Sequence, residues 1–233
     1  MPARSRTTAR RAPATRAQRE PRKPVPPSAL TTASLDEHDL TAESGFERLG
    51  FADLDLSERR AGAVEFSQCR FDKATLSGSE LPRLGLTDCL IENCDWANLR
   101  AEGGKLDRVR VAESRMTGLT WTDGLVRDAL FDRCRMDLSV WRFADFDTVR
   151  FSHCNLAGAD FTNADLRTAQ FVECDLTRAQ FSNATMEGTR FRGCTLVGIA
   201  GVTSWSGAVV HHSDLLALSY ALAAALNIRI DED

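Results

Sequence analysis

Residues 154–198 read CNLAG, ADFTN, ADLRT, AQFVE, CDLTR, AQFSN, ATMEG, TRFRG, CTLVG, an unbroken series of five-residue blocks. Each block carries Leu, Phe or Met at its third residue and Ala, Cys or Thr at its first, and self-similarity at a fixed period marks a repeat architecture. Extended backwards, the same frame puts an apolar residue at every third position from Phe51 to Leu196. In a chain that is 43% apolar, such a run arises by chance about once in 10^11. All seven cysteines (Cys69, Cys89, Cys94, Cys134, Cys154, Cys174 and Cys194) fall at first positions. One large and one small side chain per block therefore point inward. A period of five fits neither a helix at 3.6 nor a strand at 2. It fits a chain that turns a corner every five residues and stacks coil on coil, an all-β solenoid.

The blocks resemble the pentapeptide-repeat family, whose consensus is Ala or Cys, then Asp or Asn, then Leu or Phe, then two small or polar residues. The resemblance implies a right-handed quadrilateral parallel β-helix with four pentapeptides per coil, over residues 51–200. Steps of twenty then predict the stacking. One face carries Phe51, Phe71, Ile91, Val111, Phe131, Phe151, Phe171 and Phe191, and Cys134, Cys154, Cys174 and Cys194 share one inward column. The repeats amount to about seven and a half coils and a rod of roughly 36 Å at one strand spacing per coil.

The flanks are of different character. Residues 1–29 hold Arg4, Arg6, Arg10, Arg11, Arg16, Arg19, Arg22 and Lys23 against Glu20 alone, and close on Pro21, Pro24, Pro26 and Pro27. With few large apolar groups to offset ordering entropy, this reads as a disordered basic tail. Residues 30–50 read as an N-terminal cap, with Ser34 or Asp36 starting a short helical turn. Arg59 interrupts the small inward class, which predicts an imperfect coil there. Gly104 and Gly124 leave inward positions empty, and Trp96, Trp121 and Trp141 read as core filler. Residues 201–233 read as a C-terminal cap: a last partial coil, then a helix from Leu215 to Leu226. Leu215, Leu218, Leu222 and Leu226 form one face of it and Leu216, Tyr220 and Ala223 a second.

No apolar run is long enough to span a membrane and no secretory h-region precedes the repeats, so a cytoplasmic location is expected. Nucleotide-binding, metalloprotease, CxxC and nucleophile-elbow motifs are absent. The histidine pair in His211-His212-Ser213-Asp214 reads as solvated or capping. The expectation is therefore a protein without cofactor, metal or small-molecule substrate, not an enzyme but a rigid protein-interaction module or scaffold. The resemblance adds an alternative. Gyrase-binding members of the Qnr and MfpA types act as mimics of duplex DNA, which protects DNA gyrase from quinolones, and join two rods through a C-terminal helical module. That implies a homodimer here through Leu216, Tyr220, Ala223, Ile228 and Ile230. The candidate partner-binding acidic surface is Asp107, Asp128, Asp145, Asp147, Asp165 and Asp175, although arginines and lysines share those faces. A third reading makes the basic arm a DNA contact.

Overall fold

The structure, a computed structural model, describes residues 19–229. It is a parallel β-solenoid of about nine turns closed by a C-terminal helix. Pairing advances by twenty residues per coil along four columns. The first face runs from Gly45–Glu47 through Glu65–Ser67 and Gly85–Thr87, and the second from Leu49–Ala52 through Arg70–Asp72 and Leu90–Glu92. In mid-rod the two faces join into continuous strands that bend at their shared corner, Lys105–Ala112, Leu125–Asp132 and Asp145–Ser152, with Arg108, Asp128 and Thr148 left-handed at the bend. The third and fourth faces are held by single bridges, such as Asp55↔Thr75 and Arg60↔Glu80, repeated coil after coil. The rod exceeds the seven and a half coils counted from the repeats because pairing starts at Thr31–Thr32, inside the segment read as a cap, and ends at Val209–Val210.

The corners explain the period. The fifth residue of nearly every block has a left-handed backbone, from Glu43 (φ 62°) to Gly198 (φ 67°), and the chain turns there. Only glycine takes this conformation freely, and Asn and Asp tolerate it; other residues are strained by a crowded Cβ. Most corners here are nonetheless non-glycine, so the strain is offset by what the turns enclose.

What they enclose is dry. Every third-position side chain from Phe51 to Leu196 is buried. The aromatic ladder stacks face to face: Phe131 on Phe151 at 4.9 Å, Phe151 on Phe171 at 5.1 Å and Phe171 on Phe191 at 5.0 Å between ring centroids. Trp205 ends it, lying 4.3 Å from Phe191 and nearly parallel to it. The seven cysteines are buried free thiols. Cys154 donates to the Phe131 carbonyl at 3.5 Å and Cys194 to the Phe171 carbonyl at 3.4 Å, so the small inward residue also satisfies the backbone of the coil below.

Three local expectations meet their physical outcome here. The coil at Arg59 is regular, because its guanidinium turns outward to Asp39 at 2.7 Å. Gly104 and Gly124 are not voids, because the Trp121 indole occupies the space that side chains there would need. The helical turn appears as α1, Leu35–His38, with Ser34 at its N-cap.

Candidate functional site

The histidine stretch forms a cap. His211 Nδ1 lies 2.9 Å from Ser213 Oγ, and Ser213 Oγ donates to Asp214 Oδ1 at 2.8 Å. The serine is thus tied to the carboxylate, at the start of α2, Leu215–Ala225. Among the described residues no three His, Cys, Asp or Glu side chains converge as metal ligands would. The interior holds hydrocarbon, thiols and a few hydroxyls, and the hydroxyls are engaged: Ser79, Ser114 and Thr189 donate to backbone carbonyls and Ser139 accepts from the Trp141 indole. Burial pushes the Cys94 thiol up to about 11, far from a reactive thiolate at neutral pH.

The six candidate aspartates do not make one surface. Asp107, Asp145, Asp147 and Asp165 lie on the first face and Asp128 at its corner with the second, whereas Asp175 lies two corners on, on the opposite face. Their charges are mostly met. Asp107 is buried and accepts from Arg127 at 2.8 and 3.0 Å and from Arg108 at 3.0 Å. The Arg127 hydrogen bonds, opposed in part by burial, hold its carboxyl below the usual carboxylate range. Asp165 pairs with Arg167. Asp175 caps its own corner, accepting from the Thr177 N–H at 2.9 Å. Asp145 and Asp147 are exposed.

Asp128 has a partner that the sequence did not foreshadow. Residues 19–29, expected in the disordered tail, lie along the outside of the rod without regular secondary structure, and residues 1–18 fall outside the described residues. The Arg22 N–H donates to Asp128 at 3.0 Å, the Val25 N–H to Asp88 at 3.3 Å, and Arg150 donates to Glu20 at 3.1 and 3.2 Å. Burial pushes the Asp128 carboxyl up from its ordinary range. Beneath this strap lies a cleft of about 540 Å³, lined by Pro21, Pro24 and Pro26 on one side and Leu90, Val109 and Leu130 on the other. Leu90 and Leu130 stand at outward positions that are polar or charged in most blocks, the one signal in the sequence that something covers them.

At the C-terminal end, α2 packs Ala217, Leu218 and Ala221 against the core. Of the face formed by Leu215, Leu218, Leu222 and Leu226 only Leu218 packs on the rod; Leu215, Leu222 and Leu226 are exposed. Among the candidate dimer residues Leu216, Tyr220 and Ile228 are exposed, Ala223 is half-buried, and Ile230 lies outside the described residues.

The family model described as "Pentapeptide repeat region" matches residues 126–201 and 144–219, which include the unbroken blocks of 154–198. Residues 126–219 are a pentapeptide-repeat region. Solved structures similar to this pentapeptide-repeat rod include full-length QnrB1, a plasmid-mediated fluoroquinolone resistance protein, at 19% identity, covering 83% of this chain and 96% of that one with a TM-score of 0.36. HetL, a pentapeptide repeat protein involved in heterocyst differentiation regulation from the cyanobacterium Nostoc sp. strain PCC 7120, is 18% identical, covering 72% and 85% with a TM-score of 0.28. Rfr23 from the cyanobacterium Cyanothece 51142 is 10% identical, covering 73% and 90% with a TM-score of 0.18. None of the curated proteins matches the chain. No helix among its described residues is long and apolar enough to cross a membrane.

Proposed function

We propose that this protein is a non-enzymatic, rigid protein-interaction module that pairs with a second copy through α2. The observation that carries the reading is the concentration of exposed apolar side chains at one end of the rod. Leu216 is 71% and Tyr220 56% exposed, and Leu215, Leu222, Leu226 and Ile228 stand beside them on a short segment. A contiguous apolar patch of this kind marks an interaction site, and an isologous pairing buries it with a single set of residues.

Mimicry of duplex DNA toward DNA gyrase draws less support. A phosphate-like array needs unpaired charge, whereas Asp107, Asp128 and Asp165 are tied to arginines or to the strap. The DNA-contact reading of the basic arm rests on Arg4 to Arg16, outside the described residues, and on the exposed Arg19 and Lys23, since Arg22 faces Asp128.

Sedimentation equilibrium tests the dimer. The wild type is expected at twice the chain mass in the micromolar range. Leu216→Glu with Tyr220→Glu is expected at the chain mass with an unchanged circular dichroism spectrum. A wild type that sediments as a monomer overturns the pairing.

A further inference from the structure

The strap is held in a register that belongs to two unrelated geometries at once. Its two backbone donors, Arg22 and Val25, are three residues apart, which in a polyproline II segment is one turn, about 9.3 Å. Their acceptors, Asp128 and Asp88, are forty residues apart, two coils of the solenoid, or about 9.6 Å at the usual strand spacing. The strand spacing of the rod and the pitch of the extended chain coincide at this interval. The corner between first and second faces therefore presents a ruler for polyproline II backbone.

The strap is built to that ruler. Proline fixes φ at Pro21, Pro24, Pro26 and Pro27. Each residue before a proline is confined to extended conformations, which adds Glu20, Lys23 and Val25. Of residues 20–27 only Arg22 is locally unrestrained, so little entropy is lost on docking. The prolines are half-buried toward the rod, while Arg22, Lys23 and Val25 are exposed. Yet the fit is incomplete, because the cleft of about 540 Å³ remains between strap and rod over Leu90, Val109 and Leu130. Proline side chains are too short to fill it.

We propose that this corner groove is a docking site for a proline-rich extended segment of a protein partner, and that the chain's own residues 20–26 occupy it as an exchangeable stand-in. The partner segment has an acid at the place of Glu20, to meet Arg150, free N–H groups three residues apart for Asp128 and Asp88, and larger apolar side chains that fill the cleft. Such recognition takes its affinity from preformed backbone and its specificity from the pockets between prolines. The proposal rests on the reading of the rod as an interaction module, but concerns a different surface from α2.

Trypsin cleavage of full-length protein at the Arg22–Lys23 bond, followed by mass spectrometry, tests it. Asp88→Ala with Asp128→Ala should be cleaved about a hundredfold faster than wild type, since each of the two charge-assisted hydrogen bonds lost is worth about tenfold. Pro21→Ala with Pro26→Ala, changes confined to the strap, should also be cleaved faster with unaltered thermal unfolding of the rod. The octapeptide Glu-Leu-Gln-Pro-Leu-Gln-Pro-Pro, which sets leucines at the cleft-facing places of Pro21 and Pro24, keeps an N–H at the places of Arg22 and Val25 and lacks a tryptic site, should accelerate cleavage of the wild type in proportion to its concentration; a peptide of the same composition in scrambled order should not. Equal cleavage rates in wild type and both variants, or no acceleration by the octapeptide up to millimolar concentration, overturns the proposal. Neither result bears on sedimentation through α2, so the two readings fail separately.

Discussion

Gly124 and Trp121 share one volume: a side chain at Gly124 would overlap the indole Nε1 edge, and one at Gly104, a coil earlier, would lie 2.6 Å from its Cζ2. Two inward positions are emptied so that one large ring can be seated fully buried. Gly124→Ala should therefore destabilise the rod by about 1–3 kcal/mol through overpacking. Adding Trp121→Leu should recover part of that loss, giving a coupling of opposite sign in a double-mutant cycle. Strictly additive denaturation midpoints would show that the glycines serve another purpose.

The thiol columns make a second expectation. Cys154 and Cys174 sit in the same dry column as Cys134 and Cys194, all buried. Thiol-reactive reagents should modify none of the seven cysteines in native protein and all of them in denaturant, because every thiol is buried in the folded core and out of a reagent's reach. Rapid labelling of any one without denaturant would place it at an opening of the solenoid.

At the corner occupied by Phe143 the backbone is left-handed, φ 57°, and the side chain is 55% exposed. It carries the steric cost of that conformation with little burial to offset it. Phe143→Asn should raise stability by about 0.5–1 kcal/mol, since asparagine tolerates this region. The check is a shift in urea midpoint at constant m-value; a fall in midpoint would mean that the ring is packed in solution.

Acid unfolding should report Asp107. Its pKa is held down by the Arg127 hydrogen bonds and the nearby Arg108 charge, against the opposing effect of burial, so its contribution is present above the unfolded value of about 3.9 and lost as pH falls through the lower folded value. Asp107→Asn should cost about 1.5 kcal/mol at neutral pH. The variant should also lose less stability than wild type as the pH drops below 4, roughly the unfolded carboxylate value. Parallel stability curves for the two proteins across that range would contradict the assignment.

The interior could be read from the primary structure because inward and outward are decided locally. A left-handed corner every fifth residue sends the third and first side chains of each block inside, whatever lies elsewhere in the chain, and Phe131, Phe151 and Phe171 stack for that reason. The pairing of Asp107 with Arg127, one coil apart, was half legible: a step of twenty makes them neighbours, but only the folded chain shows the guanidinium reaching back over the carboxylate. The strap was almost wholly hidden, its one trace being the apolar Leu90 and Leu130 at outward positions. Arg22 and Asp128 are separated by 106 positions and share no period, and a proline-rich basic segment looks unstructured until a surface of matching pitch stands beside it. The docking of α2, which half-buries Ala217, Leu218 and Ala221 and leaves Leu215 and Leu222 outside, likewise follows from the shape of the last coil, because a helix apolar on all sides has no preferred face of its own. Repetition fixed the core through local geometry; the surfaces available to partners depended on contacts between segments far apart in the chain, which only the assembled rod brings together.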